Sequence, residues 1–155
     1  MTAFDDRMLP KVGSSFAKGF GGQARYAGRA MEKVLGIGGV FFRARDSKAL
    51  AEWYEKHLGI TKTPTDYGMS PWFQAGGPTV WGPFKEDTKY FPAEKCAMWN
   101  FRVKDLDAMV KQLRDAGIEV VVDKEQYPNG RFARLYDPEN NAIELWQPNG
   151  PYSGL

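Results

Sequence analysis

The sequence predicts an α+β protein built from two copies of one β-α-β-β-β module. Three observations carry that prediction. Two amphipathic helical stripes lie about sixty residues apart, each preceded by an aromatic and β-branched run. Each stripe is followed by further strand-like segments bounded by glycine, proline or asparagine. Finally, the two halves align: Phe42-Arg43-Ala44-Arg45-Asp46 with Phe101-Arg102-Val103-Lys104-Asp105, Gly59-Ile60 with Gly117-Ile118, and Trp81-Gly82-Pro83 with Trp146-Gln147-Pro148. The offset grows from 59 at the first strand to 65 at the last, so the loops differ while the elements repeat.

In the first half, a strand is expected to end at about Ala44 through Val40-Phe41-Phe42. Asp46 or Ser47 then caps a helix whose stripe is Ala49, Leu50, Trp53, Tyr54, His57 and Leu58, closed by Gly59. Strands follow at about 60–63, 69–75 and 79–84, the last two joined by the turn Gly76-Gly77-Pro78. Residues 85–95, polar and containing Pro92, read as a linker. In the second half a strand over 97–104 leads to the cap Asp105. A helix stripe of Leu106, Met109, Val110, Leu113 and Ala116 ends at Gly117. Strands are expected at 118–122, 131–136 and 142–147. The turn Asp137-Pro138-Glu139-Asn140-Asn141 separates the last two, because proline presets φ and asparagine tolerates the left-handed region.

Composition narrows the function. The 155 residues are 43% hydrophobic and 26% charged, with 21 basic and 19 acidic side chains. Residues 1–33 hold six basic and three acidic groups, residues 34–155 the remaining 15 and 16. The sequence pI near 8.6 therefore belongs to a basic, glycine-rich arm, read as poorly ordered with at most a short helix over 24–31. The body has no electrostatic footprint for nucleic acid. No run of about 18 apolar residues suggests a membrane span, and Asp5 and Asp6 stand where a signal peptide needs a basic start. Cys96 is the only cysteine, so no internal disulfide and no multi-thiolate zinc site can form. A cytoplasmic protein is the expectation. Gly-x-Ser-x-Gly and Walker-type loops are absent, and Cys96 has no neighbouring histidine to activate it.

Paired modules, Trp53-Tyr54-Glu55-Lys56-His57-Leu58-Gly59-Ile60, Asn100-Phe101-Arg102-Val103-Lys104-Asp105-Leu106-Asp107 and Asp137-Pro138-Glu139-Asn140-Asn141-Ala142-Ile143-Glu144-Leu145-Trp146 together resemble the vicinal oxygen chelate superfamily. That group contains glyoxalases, bleomycin-resistance proteins and extradiol dioxygenases. The resemblance covers residues 34–148, divided into modules at 34–84 and 96–148, with 149–155 as a tail. It implies a curved mixed sheet with helices on its outer face, a ligand in the concave side, and a homodimer. Strand alternation divides the residues accordingly: Trp99, Phe101, Val103, Ile143 and Leu145 toward the helices. Gly39, Phe41, Arg43, Met98, Asn100, Arg102, Ala142, Glu144 and Trp146 then point into the concavity, Thr79 and Trp81 join them, and Trp72, Phe73 and Tyr90 are expected near its rim.

In metal-dependent members of that superfamily four inward positions hold a divalent ion. Carried onto this chain they are Gly39, Thr79, Met98 and Glu144, of which only Glu144 ligates a hard cation well. His57, the only histidine, falls on a helix. The expected protein therefore binds a small, partly aromatic molecule without metal, using Phe41, Arg43, Thr79, Trp81, Met98, Asn100, Arg102 and Trp146, with Glu144 as the candidate proton donor or acceptor. Arg43 and Arg102 either hold an anionic group of the ligand, pair with Glu144, or end their strands in solvent. The alternative is a metal-dependent lyase, isomerase or dioxygenase of the same superfamily, in which Glu144 and residues that this register places elsewhere complete a divalent-metal site.

Overall fold

The structure, a computed structural model, describes residues 32–149. The chain forms two units, Met1–Phe42 and Arg43–Leu155. The arm expected over 1–33 lies outside the described residues except for 32 and 33, and so does the tail beyond 149.

Within the second unit the order is α1 (Ser47–Leu58), β1 (Trp99–Arg102), α2 (Leu106–Asp115), β2 (Val121–Val122), β3 (Gly130–Tyr136) and β4 (Ala142–Pro148). Both helices start where the repeat places them. The Asp46 and Asp105 side chains accept hydrogen bonds from the backbone N–H of Ala49 and Ala108, at 3.0 and 2.9 Å, satisfying donors a helix start leaves open. Gly59 (φ 69°) ends α1 as expected, while Ala116 caps α2 with Gly117 next. The predicted turn between β3 and β4 is present, with Asn140 in the left-handed region at φ 63°.

The sheet has the order β1-β4-β3-β2, with β1 parallel to β4 and the other pairs antiparallel. Ala133, Leu135, Ile143 and Leu145 on one face form a single core with Leu50 and Tyr54 of α1 and Leu106, Val110 and Leu113 of α2. Trp99 and Phe101 pack against the same core, so the expected alternation on β1 and β4 holds. Burying a side chain such as Leu106, Leu113 or Leu145 completely contributes about 1.5–3 kcal/mol each.

One polar cluster ties α1 to the β3–β4 turn. Buried Asp137 accepts from the Tyr54 hydroxyl at 2.9 Å and the Asn141 side-chain amide at 2.7 Å, and from the backbone N–H of Glu139 and Asn141. Burial, with the Asp137 charge second, pushes the Tyr54 phenol well above its ordinary range. The Glu139 carboxylate accepts from the backbone N–H of Arg45 and Asp46 at 2.8 and 2.9 Å, and these bonds hold its pKa below the usual carboxylate value.

The second module is β-α-β-β-β as expected, although its second strand is only two residues long. The first is not: among its described residues α1 is the sole regular element, and the strands expected at 34–44, 60–63, 69–75 and 79–84 do not form. For the three expected after α1 the physical reason lies in the sequence between α1 and β1. Pro64, Pro71, Pro78, Pro83 and Pro92 each remove a ladder donor, and Gly68, Gly76, Gly77 and Gly82 offer no side chain to pack. The chain there is irregular and largely exposed, held at Ala75-Gly76 by a side chain instead of a ladder. Arg102 donates to the carbonyls of Ala75 and Gly76 at 2.8 and 2.9 Å. Gly77, at φ 151°, has a backbone conformation that L side chains rarely adopt, and a Cβ there would push the Arg102 guanidinium aside.

Candidate functional site

On the sheet face opposite the helices, register places three polar side chains in one row. Asn100 of β1 pairs with Glu144 of β4, and Arg134 of β3 pairs with Glu144 from the other side. Side chains in register on adjacent strands stand close enough to interact directly, and these do. Asn100 Nδ2 donates to Glu144 Oε2 at 2.7 Å, and Arg134 Nε lies 3.5 Å from Glu144 Oε1. Glu144 itself is 2% exposed. A carboxylate so desolvated is retained only when partnered, and here it has an amide, a guanidinium and one more donor.

That third donor comes from the segment between the modules. The Tyr90 hydroxyl donates to Glu144 Oε1 at 2.7 Å. The Arg134 guanidinium carbon lies 3.7 Å from the centroid of the Tyr90 ring, and Phe84 stacks on that ring at 5.3 Å and 25°. Phe91 meets Phe84 edge-on at 5.7 Å. Burial first, and then the Glu144 hydrogen bond, drive the Tyr90 pKa far above that of a free phenol.

The next row along the sheet is Arg102, Trp146 and Phe132. Trp146 and Phe132 are both buried, with ring planes 5° apart and centroids at 6.2 Å, and Tyr127 meets Phe132 edge-on. Trp146 Nε1 donates to the Asn129 carbonyl at 2.8 Å. Gly130 keeps this corner open: at φ 142° a Cβ would strike the Gln147 carbonyl and the Trp146 indole.

Of the residues the sequence singles out, the structure therefore unites Glu144 and Asn100 in one row, with Trp146 and Arg102 in the next. Met98 is half-buried just before β1. Arg43, Thr79 and Trp81, the last 84% exposed, give Glu144 no hydrogen bond or ion pair among the described residues. Phe41, 91% exposed, and Gly39 belong to the first unit. Of the three roles left open for Arg43 and Arg102, pairing with Glu144 is not observed: Arg134 is the cation beside that carboxylate, and Arg102 is engaged by backbone carbonyls. Arg134, Phe132 and Phe84 escape the sequence reading. Alternation along the predicted strand 131–136 would have placed Phe132 and Arg134 on the face of Glu144; Tyr90, expected only near the rim, reaches the Glu144 carboxylate itself, and no sequence signal brings Phe84 there.

The donor set does not suit a divalent ion. The positions corresponding to metal ligands offer no imidazole, and both Glu144 oxygens already accept from protein donors, one of them beside a guanidinium. No cluster of three or more His, Cys, Asp or Glu side chains able to hold a metal occurs among the described residues. A separate cavity of about 470 Å³ lies on the helix side, lined by Arg45, Asp46, Ala49, Leu50, Trp53, Pro138 and Glu139. Its polar end, the start of α1, is already occupied by the Glu139 carboxylate. No described helix is long and apolar enough to cross a membrane.

Residues 39–146 match the family model of the glyoxalase-like domain. Among solved structures, a putative glyoxalase family protein from Bacillus anthracis is 24% identical, with 65% of this chain and 84% of that one covered and a TM-score of 0.44. An antibiotic binding protein from Streptomyces sp. CB03234 is also 24% identical, covering 67% of this chain and 88% of its own at a TM-score of 0.40. A glyoxalase/bleomycin resistance protein from the same organism is 32% identical over 33% of this chain and 46% of that one, with a TM-score of 0.30. No curated protein matches the chain.

Proposed function

Since the chain belongs to the glyoxalase-like domain family, we propose that it is a metal-independent binding protein for a small, partly aromatic molecule, held on the sheet face that carries Glu144. One observation carries the reading: the acid at the family's surviving metal position is filled by Tyr90, Asn100 and Arg134. A hard cation would have to displace two short hydrogen bonds and sit beside a fixed positive charge. An uncharged molecule with a hydrogen-bond donor and a flat ring suits the same groups. Arg102, with its guanidinium on carbonyls, supports the turn at Gly76-Gly77 and leaves the ligand contacts to Glu144, Asn100 and Arg134. A homodimer, bringing a second copy of the exposed first-module segments, is the assembly we attach to this reading.

A thermal-shift screen of planar aromatic compounds and of zinc, iron, nickel and manganese salts tests it. The reading expects stabilisation by one or more aromatic compounds, lost in Glu144→Gln, and none by the metals. Stabilisation by a metal that Glu144→Gln abolishes would overturn it in favour of a metal-binding site, the premise of the lyase, isomerase or dioxygenase alternative. Light scattering of the full chain gives the assembly, for which twice the chain mass is expected.

A further inference from the structure

Tyr90 stands apart from the other partners of Glu144 in where it comes from. Asn100 and Arg134 are fixed by strand register, whereas Tyr90 lies in a stretch without helix or strand. Its backbone N–H reaches only the Thr88 hydroxyl, at 3.3 Å. It is therefore held over the sheet by its side chain, and lifting it breaks no ladder hydrogen bond. What it presents is a complete recognition set: a hydroxyl on a buried carboxylate and a ring between a guanidinium and Phe84.

We propose that Tyr90 is the tethered occupant of a phenol subsite, so that this face takes hydroxylated aromatic molecules, their hydroxyl on Glu144 and their ring on Arg134. The inference deepens the small-molecule reading above and rests on it. The charges flanking the site set its selectivity. Glu144 and Arg134 already balance one another at 3.5 Å, so a charged ligand group would leave this site with a net charge, whereas a neutral one does not. A neutral hydroxyl satisfies the carboxylate, and an aromatic face satisfies the guanidinium. A ring lacking the hydroxyl would leave a buried acceptor short of a partner, the condition under which binding sites discriminate most strongly. Because Tyr90 is attached to the same chain, it competes at the high effective concentration of a short tether. A free phenol thus binds weakly until Tyr90 is removed or outcompeted.

The test is calorimetric titration of the full chain with 4-methylphenol and with toluene. Tyr90→Ala should bind 4-methylphenol about ten-fold or more tighter than the unaltered protein, because the tethered competitor is gone. The same variant should prefer 4-methylphenol over toluene by about ten-fold or more, and adding Glu144→Gln should cut that preference several-fold. Equal affinity for both probes would overturn the phenol assignment while leaving an aromatic-binding face in place. Failure of a folded Tyr90→Ala to bind either probe would overturn the subsite itself. The underlying reading falls on a different result, stabilisation by metal through Glu144. Should Tyr90→Ala not fold, ¹⁹F NMR of the unaltered sequence carrying 3-fluorotyrosine decides, with the Tyr90 signal assigned by Tyr90→Phe. Saturating 4-methylphenol should move that signal toward the position of an unstructured tyrosine, and an unmoved signal overturns the proposal.

Discussion

The two halves of this chain share a helix entrance, Arg-x-x-Asp after an aromatic residue, and both use the aspartate to cap their helix in the same way. Beyond that point they diverge. After α2 the chain builds a hairpin whose seven register pairs, Gly130↔Pro148 to Tyr136↔Ala142, align every inward and outward side chain. After α1 it runs irregular and mostly exposed for some forty residues with no ladder. A helix is specified within its own dozen residues by caps and stripe, whereas a strand exists only when another strand supplies its partners. Proline at five places between α1 and β1 blocks that partnership from within.

Breaking the sheeted half should cost most. Leu145, fully buried between the helices and the sheet, predicts a loss of about 2–5 kcal/mol on substitution by alanine, read by denaturant unfolding. The matched change in the other half, Phe73→Ala at a residue 80% exposed, should stay within about 0.5 kcal/mol. Comparable losses at the two positions would show that the first half is as deeply packed as the second.

Asp137→Ala is next in size. It strands the Tyr54 hydroxyl and the Asn141 amide in a buried site, for a cost of about 1–3 kcal/mol in the same unfolding assay. The same contact gives an alkaline prediction. The raised phenol pKa of Tyr54 and Tyr90 means stability that is intact below about pH 10 and lost as pH climbs toward the folded values. In an ultraviolet titration these two tyrosines should remain protonated after ordinary ones have ionised. Their ionisation alongside the rest would contradict the contacts.

The smallest effect sharpens the junction between α1 and the β3–β4 turn. Glu139 has a depressed pKa because the N–H groups of Arg45 and Asp46 stabilise its charge. Its contribution is therefore present above the unfolded carboxylate pKa and fades as pH falls through the folded one. Glu139→Gln should lower the melting temperature at neutral pH, and the gap should close in acid. A gap independent of pH would mean that the carboxylate charge does not matter there.

How much of this could be read from residues alone follows the same division. Both helices, with Asp46 and Asp105 as caps, and the turn with Asn140 in the left-handed region are local features, and alternation and capping rules place them. Trp99, Phe101, Ile143 and Leu145 against the helices, and Glu144 and Asn100 away from them, follow from period-2 geometry. The strands of the first half are overestimated because β-branched and aromatic content signals a strand without saying whether a partner exists. Arg134 is within reach of the same alternation argument applied to β3. For Tyr90 the aromatic content points no further than the rim of the concavity, since its bond to Glu144 is a tertiary contact 54 residues away in sequence from an irregular linker. Pairing with Glu144 is one of three roles that the sequence leaves open for Arg43 and Arg102, and cross-strand register puts Arg102 opposite Trp146 instead.

The most direct test of the whole account is the metal content of the purified full-length protein, measured by elemental analysis after exposure to zinc, iron, nickel and manganese and removal of the excess. A carboxylate filled by Tyr90, Asn100 and Arg134 predicts far less than one ion per chain, unchanged by Glu144→Gln. One ion per chain that disappears in Glu144→Gln would contradict it.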